Sequence, residues 1–149
     1  TKTIPGFNYR MTELQAVIGK EQLKRIDYIL KENSKRYRIL NKYLSKNFKT
    51  REIPKNSVPN YDTFIFYVNK SEKKKVLKSI EVSNFNTKNL PDAIKWHCSY
   101  YWDHIFNKGE IKTSKKTLDI LKTSIAIPIL LKRPLKDYVL LAKNILGTK

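Results

Sequence analysis

The stretch GFNYRMTELQAVIGKEQL, residues 6–23, decides how this chain is read. A glycine and an aromatic lead into Asn8 and Arg10, which crowd against Thr12. Thr12 is a natural helix N-cap, and Gln15 three residues later completes a capping-box pattern. Two readings fit these residue types. In one, the amide of Asn8 and the charged fork of Arg10 hold an anion just ahead of a helix N-terminus, whose free N–H groups favour negative charge. In the other, Asn8 makes a turn hydrogen bond and Arg10 pairs with Glu13.

Outward from Thr12 the pattern is helical to about Asn47. Leu14, Ile18, Ile26 and Leu30 fall on steps of four, with the polar Gln22 between them, and Leu23, Leu30, Tyr37 and Leu44 fall on steps of seven. No proline interrupts before Pro54. An unbroken helix of that length would run about 50 Å. That is long for a small domain, so it is expected to cross between layers or subunits, or to kink near Gly19 or Asn33. After a polar loop with Pro54 and Pro59, YDTFIFYV (61–68) is dense in aromatic and β-branched residues and reads as a strand. Ser71 is expected to cap a helix from Glu72 to Ile80, with Val76, Leu77 and Ile80 on one face. Residues 81–86 read as a second strand and NTKNLPD (86–92) as a loop. WHCSYYWDHIF (96–106) is an aromatic patch with no clear periodicity. A helix over 113–122, a short apolar strand over 124–127 and a closing helix over 134–146 follow. Pro134 suits the first turn of that helix and Gly147 its end. The order implies an α+β fold: a long N-terminal helix, then a small, mainly antiparallel sheet with helices on one face. Residues 1–47 form the motif loop and connecting helix, and 48–149 a small domain.

Composition limits the function classes. The chain has 149 residues, is 40% hydrophobic and carries two Trp, nine Tyr and six Phe, which suits one folded domain. No apolar run approaches the roughly 20 residues of a membrane span. The single cysteine, Cys98, excludes an internal disulfide and fits a reducing, cytoplasmic setting. The first residue is Thr and the only methionine is Met11, so the chain is expected to be the tail of a longer protein. The net charge of +18 raises nucleic acid as a partner. Against it, only six of the 31 basic residues are Arg, the residue best matched to phosphate, and the lysines are spread along the chain. Nucleic acid is therefore not the expected partner.

Catalytic motifs are scarce. There is no P-loop, no GxGxxG and no CxxC pair. His97, Cys98 and His104 lack clustered carboxylates to complete a metal set, so no metal is expected. Adjacent His97 and Cys98 side chains diverge, and Cys98 reads as a small buried hydrophobe rather than a nucleophile.

The N-terminal stretch nevertheless resembles a known pattern. GFNYRMTELQAVIGKEQLKRID is similar to the G-x-N-x-R-M-(T/S)-E-(L/I)-Q-A-A-x-G-x-x-Q-L segment of the DegT/DnrJ/EryC1/StrS aminotransferases, departing at Val17 and Lys20. KTLDILKTSIAIPILLKRPLKDYVLLAKNI (116–145) looks like that family's last helices and the strand between them. The resemblance implies a C-terminal portion of a fold type I enzyme that uses pyridoxal 5'-phosphate to aminate sugars. It further implies that the catalytic lysine, and the aspartate and aromatic residue at the cofactor ring, lie upstream, so no catalytic residue is assigned in this chain. Asn8 maps onto the motif asparagine, which reaches across a homodimer interface to the cofactor phosphate. Arg10 maps onto the motif arginine, near the phosphate or substrate. Lys88, Asn89, Trp96 and His97 fall at the family's substrate loop, where a basic, aromatic segment suits an anionic sugar; core or interface packing is the other reading of the aromatics, and the preferred one for Tyr101 and Trp102. The implied partners are a keto-sugar or nucleotide-sugar substrate and an amino-acid donor. More narrowly, NTKNLPDAIKWHCSYYWDHI resembles the branch that aminates 8-oxo-3,8-dideoxy-octulosonate for lipopolysaccharide, with glutamate as donor. A non-catalytic homologue without the lysine is the alternative within the family.

Overall fold

The structure is a computed structural model that describes residues 10–88, 99–102, 104–107 and 115–148. In chain order the elements are α1 (Glu13–Leu23), α2 (Ile26–Leu44), β1 (Lys49–Thr50), β2 (Thr63–Tyr67), α3 (Lys70–Val82), a 3-10 turn (Ser99–Tyr101), α4 (Lys115–Thr123), β3 (Ser124–Pro128) and α5 (Leu135–Leu146). The fold is α+β, as the residue pattern implies.

The expected single helix is two. The break falls not at Gly19 or Asn33 but at Lys24–Arg25, where the Arg25 N–H bonds back to the Gln22 carbonyl at 3.0 Å in a tight i→i+3 turn. Arg25 sits at φ −103°, ψ 2°, and the Ile29 N–H then returns to the Arg25 carbonyl at 3.0 Å. The heptad seam is lost with it: Leu23 is exposed, while Tyr37 and Leu44 are buried.

The second half of α2 carries the core stripe Asn33, Arg36, Tyr37, Leu40 and Leu44. This i, i+3, i+4, i+7, i+11 spacing fits one helix face, which packs against Tyr138, Leu141, Ala142 and Ile145 of α5. The three strands form one antiparallel sheet in the order β1-β2-β3. Phe64 faces Ile127 and Phe66 faces Ile125, and these four are fully buried against the helices. Strand alternation puts Ile65, Tyr67, Ser124 and Ala126 on the opposite, partly exposed side. Aromatic edges lock the inner layer, with Tyr37 5.1 Å from Phe64 and Phe48 5.2 Å from Phe66.

The strand expected over 81–86 is instead the end of α3 and its cap. Asn84 adopts φ 57°, and the Phe85 N–H bonds to the Ile80 carbonyl at 3.0 Å. That is a Schellman closure, with Asn in the left-handed position where glycine is usual and Phe85 folded back into the core. The remaining strand is β1, two residues long and paired with Tyr67 and Phe66. At the start of α3 the cap position is Asn69, not Ser71, and the helix begins two residues earlier than Glu72.

A polar knot joins the layers. The buried Arg36 donates from Nη2 to the Leu131 carbonyl at 2.8 Å, from Nε to the Arg133 carbonyl at 3.1 Å and from Nη1 to Glu32 Oε2 at 2.8 Å. Arg133 in turn lies 4.8 Å over the Phe85 ring and donates to the Asn84 carbonyl.

Candidate functional site

The candidate site begins at the N-terminus of α1. Thr12 is extended, at φ −73° and ψ 156°. Its N–H donates to Gln15 Oε1 at 3.0 Å and its Oγ1 accepts from the Gln15 N–H at 3.3 Å. The expected capping box is therefore formed in both directions. This has a consequence for anion binding. Two of the end's donors are closed by the box, and the Ala16 N–H bonds to the Thr12 carbonyl at 2.9 Å. The amides of Glu13 and Leu14 remain outside the box, and Glu13 sets a carboxylate beside them. An incoming phosphate thus needs cationic and amide donors ahead of the helix, where Arg10 and Asn8 stand in sequence. Arg10 is exposed and lies two residues before the cap. Asn8 lies outside the described residues, as do Asn89, Trp96 and His97.

Lys88 is described, and its place is specific. Its main-chain N–H donates to the Ala126 carbonyl at 2.8 Å, which extends the sheet by one bond along the outer edge of β3. Its ammonium reaches over the sheet to Thr63 Oγ1 at 2.5 Å and Asp62 Oδ2 at 3.3 Å. Lys88 and Asp62 are both about half exposed. Lys88 is therefore held by its main chain at the edge of β3 and by its ammonium to the residues at the start of β2. Sequence reading missed Asp62 and Thr63 as its partners, because 25 residues or more separate them and only the β2–β3 register brings them together.

Of the aromatic patch, Tyr100 and Tyr101 form an edge-on pair at 5.1 Å, and the Trp102 and His104 rings lie 6.5 Å apart. Tyr101 and Trp102 are partly exposed. Among the described residues no group of three or more His, Cys, Asp or Glu is arranged to hold a metal. No helix among them is long and apolar enough to cross a membrane.

Several basic residues are committed to structure. Lys70 pairs with Asp119 at 2.8 Å, and its hydrogen bond holds the Asp119 carboxyl below the usual range. Lys35 and Arg36 do the same to Glu32. Lys73 donates to the Lys122 carbonyl at 2.7 Å, and burial lowers its pKa. An open cleft of about 410 Å³ lies between β1 and α4, lined by Lys49, Thr50, Glu52, Tyr67, Ile120 and Thr123. It shares no residue with Arg10 or Lys88.

A capped helix leading into a small three-stranded α+β domain defines the class. The model of the DegT/DnrJ/EryC1/StrS aminotransferase family matches residues 1–134, and the chain belongs to that family. Two solved structures share the fold. The aminotransferase TlmJ from Streptoalloteichus hindustanus superposes with a TM-score of 0.74 at 11% identity, covering 98% of this chain and 39% of that one. Helicobacter pylori PseC, an aminotransferase involved in the biosynthesis of pseudoaminic acid, gives a TM-score of 0.71 at 20% identity, covering 99% and 39%. The chain thus spans about two fifths of the length of these relatives. No curated protein matches it significantly.

Proposed function

We propose that this chain is the C-terminal part of a pyridoxal-phosphate-dependent aminotransferase that moves an amino group from an amino acid, glutamate, to a keto sugar. The observation that carries this reading is the family match over residues 1–134, which includes the whole GFNYRMTELQ corner. When bound, the cofactor supplies the electron sink through which amino transfer proceeds. The residues at the corner fit its phosphate. Arg10 brings a cationic fork to a helix end with two amides outside the capping box, and Asn8 adds an amide donor. Asn8 and Arg10 hold the phosphate, with Asn8 acting across a homodimer interface. Lys88, held at the sheet edge, binds the substrate together with Asn89, Trp96 and His97. An anionic keto sugar of the octulosonate kind suits that basic, aromatic loop, and the product serves lipopolysaccharide or another surface polysaccharide in the cytoplasm.

The test is to incubate the intact protein with pyridoxal phosphate, glutamate and either 8-oxo-3,8-dideoxy-octulosonate or a nucleotide-linked keto sugar. Amino sugar and 2-oxoglutarate, formed in equal amounts and detected by mass, are expected. Cofactor-loaded protein that converts neither sugar defeats the reading. An intact sequence without a lysine at the cofactor position favours the non-catalytic homologue.

A further inference from the structure

β1 is an edge strand of the sheet, and one of its residues keeps its main-chain groups unused. Lys49 stands opposite Tyr67 and Thr50 opposite Phe66, and the Arg51 N–H continues the ladder to the Ile65 carbonyl at 3.0 Å. Bonded residues alternate in an antiparallel pair. Lys49 and Arg51 therefore bond to β2, and Thr50 between them turns its N–H and C=O to the free edge. Thr50 lines the cleft of about 410 Å³ between β1 and α4, with Lys49 before it and Glu52 after it. Those two side chains carry opposite charges yet do not meet. Among the described residues the Lys49 ammonium, the Glu52 carboxylate and the hydroxyl of Tyr67, which also lines the cleft, have no hydrogen-bond or ion-pair partner.

The order of these groups has a direction. The Lys49 cation and the Thr50 N–H place donors at one end, and the Thr50 C=O and the Glu52 carboxylate place acceptors at the other. Along the extended chain the two charged residues are roughly 10 Å apart, which leaves room for a small molecule between their side chains. A lone anion would bring its charge against Glu52, and a lone cation against Lys49. A peptide strand added to the edge would use Thr50 but leave both charges unanswered. A zwitterion answers all four groups. Beyond them Tyr67, on the same side of the sheet as Lys49, and Ile120, 42% exposed, offer apolar surface.

We propose that this cleft binds a free α-amino acid with an apolar side chain, for which leucine is the probe. Its carboxylate accepts from the Lys49 ammonium and the Thr50 N–H, and its ammonium donates to the Thr50 C=O and the Glu52 carboxylate. Its side chain lies against Tyr67 and Ile120. The volume of the cleft falls within the range of about 300–1,000 Å³ usual for small-molecule sites. The inference does not rest on the proposed reaction, because the cleft shares no residue with Arg10 or Lys88.

The experiment titrates L-leucine into the intact protein by calorimetry, beside 4-methylpentanoate, which lacks the ammonium, and leucinamide, which lacks the carboxylate. Leucine is expected to bind, and each analogue about tenfold or more weakly, because each gives up a charged contact. Lys49→Met and Glu52→Gln should weaken leucine by a similar factor at an unchanged melting temperature. Lys74→Met, at an exposed lysine outside the cleft, should leave binding as it was. No heat with millimolar leucine overturns the inference, as does leucine binding that Lys49→Met and Glu52→Gln both leave intact. Equal binding of leucine and 4-methylpentanoate also overturns it, in favour of a simple anion site. Should a variant melt lower, the main-chain amide resonance of Thr50 in the wild type decides: a shift on adding leucine supports the site, and no shift overturns it. None of these readings uses transaminase activity, so this inference and the proposed reaction fail separately.

Discussion

The guanidinium Nε of Arg36 donates to the main-chain carbonyl of Arg133 at 3.1 Å, joining α2 to the turn before α5 across 97 residues of sequence. The same group also serves the Leu131 carbonyl and both the carbonyl and the carboxylate of Glu32, so one buried cation satisfies four acceptor atoms. Arg36→Met keeps the volume but strands two carbonyls and a carboxylate. Charged hydrogen bonds are worth about 1.5–3 kcal/mol each, with strongly non-additive sums. A loss of about 3 kcal/mol is therefore expected, read as a lower urea midpoint at an unchanged slope. Arg36→Lys should recover little of it, because an ammonium cannot reproduce the fork. A shift below about 1 kcal/mol for Arg36→Met would show that the knot is dispensable.

The cap at Asn84 gives a sign test. At φ 57° a β-branched residue is strained, so Asn84→Val should cost about 1–2 kcal/mol. Asn84→Gly should stay within about 0.5 kcal/mol of the wild type, because glycine takes that conformation freely. Equal effects of the two substitutions in denaturant titration would mean that the left-handed turn does not form.

These two positions also show what the sequence disclosed. The capping box of Thr12 and Gln15, strand β2, strand β3 and the closing helix were legible, because each has a local signal: a side-chain cap, an aromatic and β-branched run, or a proline-to-glycine frame. Residues 81–86 were misread because Val82 and Phe85 carry strand propensity while one asparagine, in a conformation open to few residues, ends the helix. The break at Lys24–Arg25 has no glycine or proline to mark it, and the heptad pattern runs straight through. β1 is two residues long, and its pairing with β2 is set by tertiary packing alone. At the candidate site the helix cap could be read, but the Lys88 contacts with Asp62 and Thr63 depend on strand register.

Alkaline pH probes the core tyrosines. Burial raises the pKa of Tyr138 and of Tyr37 above the ordinary value near 10. A raised folded-state value means that the folded state holds its proton longer. Its stabilising contribution is complete below pH 10 and is lost as pH climbs through the folded-state value. Stability should therefore fall above pH 10. Tyr138→Phe should flatten that fall while costing about 1 kcal/mol at neutral pH, because the Leu130 N–H loses its bond to Tyr138 Oη at 2.8 Å. The same alkaline slope in Tyr138→Phe would assign the effect to other groups. On the acid side, Glu32 and Asp119 have lowered values, so their contribution is present above the ordinary carboxylate range and is lost as pH falls below it.

Lys88 separates rooting from substrate contact. Lys88→Met removes a half-exposed ion pair, which is worth at most about 1 kcal/mol of stability. If the proposed substrate loop depends on it, KM for the anionic keto sugar should rise about tenfold with kcat nearly kept, the pattern of lost binding shared by ground and transition states. Unchanged KM together with an unchanged melting temperature would remove Lys88 from the site.

Asn8 tests the cofactor corner itself. The capping box leaves few amides at the end of α1 for a phosphate, so the donors ahead of the helix carry the proposed contact. Asn8→Ala in the intact enzyme should then weaken cofactor retention without unfolding the protein. A hydrogen bond to a charged group is worth roughly 1.5–3 kcal/mol, or about a tenfold to hundredfold loss of cofactor affinity. Were Asn8 only a turn residue at the helix entry, the apo protein would melt lower and the folded fraction would bind cofactor as before. Titration of pyridoxal phosphate by absorbance, beside thermal unfolding of the apo form, distinguishes the two. Because Asn8 is proposed to act across the dimer, mixing Asn8→Ala subunits with subunits that lack the cofactor lysine gives a further check. Contact in trans predicts that each mixed dimer holds one site with both its lysine and its asparagine, and one with neither. Contact within a subunit would leave no complete site in any mixed dimer.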